Sequence, residues 1–293
     1  MTKVIDTHPH VVSPDTVRYP ITPLGEKRSD WSHERSISTE ELIAAMDEAG
    51  IAQAALVHSS TTYGFNCDYV ADTVAAYPER FTGVFSINVL ADDAVDKMRE
   101  WNAKGLTGMR MYVKGTTVKA AFALDDPQIF PCYECAAEND ITVALNVAAT
   151  EGFGQLETVL EKFPDVRFFL DHAGRADYTS GPPFQSATPL FKLARYPNLY
   201  LKVTSVNFLS KGKGWEEYAA PIVQKLVSEF GANRLAWGSN YPASHGSLLK
   251  LADLACQYVV DLSDKDNDCI LFKTALHLYP ALGDKKSSTD RSC

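Results

Sequence analysis

Eight short runs of β-branched and apolar residues recur along the chain, and a longer segment with apolar residues about every 3.6 positions follows most of them. The runs are KVIDTHPH, AQAALVH, FTGVFSI, TGMRMYV, ITVALNV, VRFFLDH, LYLKVTS and RLAWGS. The intervening stretches, among them TEELIAAMDEAG, DYVADTVAAYPER, DAVDKMREWNAKG and YAAPIVQKLVSEFG, carry helical spacing, and several stop at Gly or at Pro after an aromatic residue. Eight alternating units without a Pro, Ser or charge-rich linker predict a (β/α)8 TIM barrel. A doubly wound sheet would usually supply fewer strands and a phosphate-binding glycine turn. No GxGxxG or GxxxxGK[ST] motif follows a strand, so the sequence gives no support for a nucleotide site.

On this reading residues 1–283 form a single barrel domain. The segments LADLACQYVVDL and DNDCILFKTALHLYP close it, and the charged tail 284–293 is expected to be flexible. The first strand is followed by a polar, Pro-rich stretch, SPDTVRYPITPLGEKRSDWSHERS (13–36), too long for an ordinary βα loop. In a barrel this loop would lie over the C-terminal mouth, with Arg18, Tyr19 and Trp31 placed to cover a site there. The 293 residues carry 28 Lys+Arg against 37 Asp+Glu, a formal charge of −9. That balance disfavours nucleic acid as a partner, because such binding depends on basic side chains releasing counterions. No apolar stretch reaches the length of a membrane span and no signal-peptide pattern opens the chain, so a cytoplasmic protein is expected. A homodimer is compatible with these features. The six cysteines are too few and too scattered for a disulfide framework, and the Cys132–Cys135 pair reads as buried structural thiols.

Three strand ends carry chemistry. At the first, His8 and His10 stand two residues apart, so in an extended strand both face the barrel interior at its mouth. Such a pair suits a divalent metal, and it equally suits two hydrogen-bonded histidines without one. The sixth run ends in Asp171-His172-Ala173-Gly174-Arg175, and the eighth in Trp237-Gly238-Ser239-Asn240-Tyr241-Pro242. Barrel active sites lie at these strand ends. Arg110, on the fourth run, and Arg175 are costly in a barrel unless an anion faces them, and their planar forks match a carboxylate or sulfonate. Tyr112 and Lys114 share the period of Arg110. Asn146 after the fifth run, and Ser60 or Thr62 after the second, could add neutral hydrogen bonds.

Together these three motifs resemble the amidohydrolase superfamily, in particular the branch of lactonases acting on sugar lactones, pyrone dicarboxylates and sulfomuconolactones. The resemblance covers nearly the whole chain and implies a distorted barrel that hydrolyses a small anionic lactone, with the sulfomuconolactone pattern nearest in the first loop. It also implies that His8, His10 and His172 correspond to the family's metal-binding histidines, here for one zinc ion, although a metal-free site is also compatible. The departure is Asn240, where many members carry Asp as general base on the attacking water. Asn cannot take up a proton near neutral pH. If Asn240 is the working residue, a zinc-bound water could be activated without it, with His58 or His245 receiving the proton. Two alternatives follow from the same residues: a metal-dependent, non-oxidative decarboxylase of an aromatic acid, and a catalytically silent barrel that only binds an anion.

Overall fold

A computed structural model describes residues 3–25, 27–113, 122–147, 149–205 and 215–283. Eight strands pair in parallel in strict chain order: β1 (Ile5–Asp6), β2 (Gln53–Val57), β3 (Phe81–Phe85), β4 (Gly108–Tyr112), β5 (Thr142–Asn146), β6 (Phe168–Leu170), β7 (Leu199–Val203) and β8 (Leu235–Trp237). The ring closes between β8 and β1, where Thr7 donates both its N–H (3.2 Å) and its hydroxyl (2.6 Å) to the carbonyl of Trp237. This is the expected (β/α)8 barrel. Among the described residues no helix is long and apolar enough to cross a membrane.

Alternation along the strands sorts side chains into two cores. Outward residues such as Met109, Met111, Val143, Leu145, Leu199 and Leu201 pack under the surrounding helices. Inward residues Ile5, Ala55, Val84, Ala144, Phe169 and Ala236 fill the barrel floor, which Ala275, Leu278 and Tyr279 of the closing segment plug. Alanines on three of these strands keep the floor narrow. Above it the inward positions turn polar, with Arg110, Asn146 and Lys202 continuing the same faces.

The sequence pattern overestimates the first strand. KVIDTHPH is a strand only over Ile5–Asp6, followed by a bend at Thr7. Ile5 faces the floor, so unbroken alternation would turn His8 outward; the bend returns His8 and His10 to the interior. Similarly, Asp171–Arg175 leaves the helical region, with His172, Ala173 and Gly174 at φ 53°, 41° and 65°. A Cβ on Gly174 would lie 2.8 Å from the ring of Phe153, so both the left-handed turn and the packing require glycine there.

The closing segment is also less regular than its apolar spacing suggests. Helices Asp264–Asp268 and Thr274–Leu278 flank a π-helical turn over Cys269–Lys273 that packs on β8. Cys132 and Cys135 are both buried, as unpaired thiols, on helix Phe130–Glu138.

Barrel closure also depends on Gly238, where an added Cβ would meet the His8 Cβ at 2.8 Å and the Thr7 hydroxyl oxygen at 3.0 Å. Gly238→Ala is expected to cost about 1–3 kcal/mol through overpacking. Equilibrium urea unfolding against the parent protein measures it, and an unchanged midpoint would show that β1 and β8 have room to separate.

Candidate active site

The polar layer above the floor is organised by Asp171, whose side chain is fully shielded from solvent. Arg110, from β4, donates its Nε–H to Asp171 Oδ2 at 2.7 Å, and Lys202 Nζ, from β7, lies 2.8 Å from Oδ1. His8 Nδ1 is 3.7 Å from the same oxygen. Burial by itself would raise the Asp171 pKa, but the Lys202 ammonium and the Arg110 guanidinium outweigh it and hold the carboxyl well below the usual range. Asp171 is therefore a fixed anion between the Arg110 guanidinium and the Lys202 amine, whose own pKa burial lowers and the Asp171 carboxylate pulls back up.

Three imidazoles surround this charge group. The His8 ring centroid is 5.0 Å from that of His10 and 5.0 Å from that of His172. His10 places Nδ1 2.7 Å from the Val57 carbonyl. Since a carbonyl only accepts, Nδ1 carries the proton and Nε2 keeps its lone pair. His172 Nδ1 is hydrogen-bonded to the Thr204 hydroxyl at 2.7 Å. Burial, reinforced by the nearby cations, lowers His10 and His172 to about 3 and His8 well below its ordinary value, so all three are neutral at physiological pH.

A cavity of about 200 Å³ opens above them, lined by His10, Ser29, Trp31, Ser59, Thr61, Arg110, Tyr112, Asn146, His172, Arg175, Asn240 and Ala243. Arg110 reaches it from below, with Nη1 donating to the Tyr112 hydroxyl at 3.0 Å. Arg175 stands exposed at the rim, held there by a backbone with φ 51°. It forms no ion pair with an acid among the described residues, and partial desolvation of its head at the rim, then repulsion from Arg110, lower its pKa against the opposing pull of Asp171. The buried Asn146 Oδ1 has no hydrogen-bond partner among the described residues. Asn240, also left-handed at φ 56°, donates Nδ2 to Ser244 Oγ at 3.1 Å, which leaves its carbonyl oxygen for another donor.

The long first loop forms one wall, as its position suggested. Leu24 and Thr22 hydrogen-bond through their N–H groups to the carbonyls of Ser60 and Thr62, and Arg35 bonds the carbonyls of Pro242 and Ala243. Between these ties the Trp31 ring stacks on His10 with centroids 5.0 Å apart. Arg18 and Tyr19 go elsewhere: both bind Asp72 on helix Asp68–Ala76, away from the cavity.

Several expected positions are displaced. After β2 it is Ser59 and Thr61 that reach the cavity, while the buried Ser60 does not, because a turn of helix begins at Ser60 and replaces the strand period. His58 is buried with Nε2 2.9 Å from the Gly64 carbonyl and lies outside the cavity lining. His245 is solvent-exposed and likewise absent from the lining. Lys114 falls outside the described residues. Lys202 was not anticipated; its only sequence signal is a lysine at an inward position of the apolar run LYLKV.

The family comparison bears directly on these motifs, since the amidohydrolase profile matches residues 5–281. The chain belongs to the amidohydrolase family. This amidohydrolase is 24% identical over 241 residues to 4-sulfomuconolactone hydrolase of Hydrogenophaga intermedia, an alignment covering 82% of this chain and 74% of that protein. A Pseudomonas putida structure described as a 2-pyrone-4,6-dicarboxylic acid hydrolase shares the fold with a TM-score of 0.79 and 20% identity, covering 96% and 98% of the two chains. A Burkholderia multivorans amidohydrolase with bound zinc shares it with a TM-score of 0.75 and 18% identity, covering 95% and 99%.

The described residues do not make up a metal centre. Neither ring nitrogen of His8 has a hydrogen-bond partner among the described residues, so the neutral ring has one lone pair available. Yet among the described residues no group of three or more His, Cys, Asp or Glu is arranged to hold an ion. The Asp171 carboxylate has its oxygens engaged by Arg110 and Lys202, and the eighth strand leads to Asn240, an uncharged amide.

Burial lowers His58 to about 4, from an ordinary 6.5. The unfolded chain therefore binds a proton between pH 6.5 and about 4 that the folded chain refuses. Stability is full above that window and falls on acidification through it, by about 1.4 kcal/mol per pH unit for this one group. Urea unfolding of the parent and His58→Gln proteins at a series of pH values should show a shallower acid limb in the variant; equal slopes would mean that His58 takes up its proton in the folded state too.

Proposed function

We propose that this amidohydrolase opens the ring of a small anionic lactone by attack of an activated water. The observation that carries the reading is the pair Arg110 and Arg175 facing one cavity beside neutral imidazoles. Only part of their charge is balanced within the protein, since Arg110 is paired with Asp171 and Arg175 has no acidic partner among the described residues. A carboxylate or sulfonate on the substrate would supply the missing negative charge in a two-point contact. The curated relative that hydrolyses a sulfonated lactone agrees with this in chemical class.

In this reading Arg175 anchors the substrate anion at the rim, and Arg110 with Asn146 faces the reacting carbonyl. As the tetrahedral oxyanion forms, Arg110 stabilises the developing charge without reorienting, because Asp171 and Tyr112 already fix its plane. The Asn240 carbonyl oxygen accepts one hydrogen of the attacking water. The lone pair of His10 Nε2 accepts the other, and as the oxyanion collapses the ring C–O bond breaks and His10 returns that proton to the leaving ring oxygen. His10 by itself is a weak base because burial and Arg110 both depress it. A bound anion and a growing oxyanion oppose the Arg110 contribution and bring His10 closer to the range of a working base. Trp31, stacked on His10, holds that ring and shields the reacting centre from bulk water.

A panel of 4-sulfomuconolactone, pyrone dicarboxylates, sugar lactones and dihydroxybenzoates, followed by ring-opening absorbance and CO₂ release, tests the reading. Opening of an anionic lactone is expected. Loss of CO₂ from a dihydroxybenzoate with every lactone untouched would replace it by decarboxylation, and binding of the acids without turnover by a silent barrel.

For the lactone that is opened, Arg175→Met should raise KM by roughly tenfold or more with kcat changed much less, since a rim anchor acts in the ground state and transition state alike. Asn240→Asp should give no gain in kcat/KM, because the proton goes to His10. A large gain would instead identify position 240 as the seat of the base.

A further inference from the structure

Lys202 has no part in substrate contact, yet it is among the largest fully buried side chains of the protein. An ammonium in a barrel interior is tolerated only with a close counter-charge. Its counter-charge is Asp171 Oδ1 at 2.8 Å, and the face of the Phe169 ring lies 4.5 Å from Nζ. The β7 register fixes this placement, since Leu201 and Val203 face the outer core and Lys202 between them must face inward.

Its surroundings matter more than its pairing. His8 sits against the same Asp171 oxygen, with His10 and His172 each 5.0 Å from His8 between ring centroids. Three neighbouring neutral imidazoles beside a carboxylate are the donor types that attract a divalent cation. Here Lys202 Nζ already occupies one carboxylate oxygen at 2.8 Å and Arg110 Nε the other at 2.7 Å. A second cation would meet repulsion from both at short range in a poorly screened interior.

We propose that Lys202 Nζ is the resident cation of this site: it takes the Asp171 oxygen that a divalent ion would need and keeps the His8–His10–His172 cluster free of metal. Lys202 is thus a positioning residue that acts through Asp171. The inference is independent of which lactone is opened, and its readout is metal occupancy rather than turnover, so it stands or falls separately from the hydrolase reading.

The test is cobalt(II) and zinc titration of the full chain, read by the visible cobalt bands, by competition with a chromophoric chelator and by metal analysis after gel filtration. The unaltered protein should retain well under one equivalent of either ion. Lys202→Met, which keeps the side-chain bulk and removes the charge, should bind cobalt roughly 100-fold more tightly than the parent or better. Lys202→Gln, which keeps a donor for Asp171, is read alongside it, with near-ultraviolet circular dichroism confirming a native fold for both. Stoichiometric, tightly held zinc on the unaltered protein overturns the proposal. So does a folded Lys202→Met or Lys202→Gln protein that binds cobalt no better than the parent.

Discussion

Asp171, clamped between Arg110 and Lys202, is the interaction on which the upper half of the barrel depends. The three residues come from β4, from the turn after β6 and from β7, so the ion group ties strands that do not all neighbour one another. Asp171 with its two basic partners, and the buried Asp6 that couples to Lys202, make a charged layer under the cavity, with the Arg110 guanidinium on its upper side. That layer helps keep the surrounding histidines neutral and presents a positive face to whatever enters from above. Removing Asp171 would leave both basic groups buried without their counter-charge, a kind of change that typically costs about 3–5 kcal/mol. The layer is therefore expected to be rigid, which suits groups that must stabilise charge without moving.

The walls of the site follow from the same economy of space. Small inward residues at Ala55, Ala144 and Ala236 keep the floor tight, and the closing segment plugs it with Tyr279. The polar groups are thereby confined to the mouth, where the first loop folds back over them between the turns after β2 and β8. Gly238 allows the last strand to close on the first, and the left-handed turn at His172 to Arg175 directs one side chain inward and another to the rim. Charge at the bottom of the cavity and hydroxyl and aromatic groups along one wall give it two unlike sides, suited to an anionic ligand with an apolar or hydroxylated body.

Much of this arrangement could be read from the order of residues. The eight alternating units appear in the structure as eight strands in chain order, and the motifs at the first, sixth and eighth strand ends do converge, with Arg110 and Asn146 beside them. What misled was extrapolation of a local period past the end of an element. Ser60 follows the strand period from β2, but a helical turn starts there and passes the cavity to Ser59 and Thr61. His58 and His245 are histidines near strand ends, which says nothing about whether a ring turns into the barrel or packs behind it. Lys202 was overlooked because one lysine in an apolar run has no motif; only its neighbours give it meaning.

The overall charge of −9 is equally uninformative about a mouth lined by Arg110 and Arg175, because the two are properties of different surfaces. By itself the sequence determined the barrel, through hydrophobic periodicity, and the residue types at its mouth, through motifs at strand ends. The tertiary structure alone decided how those residues are paired. Whether Asp171 binds a guanidinium and an ammonium or is left to a metal depends on atoms more than 30 positions apart meeting within 3 Å, and no local pattern encodes that distance.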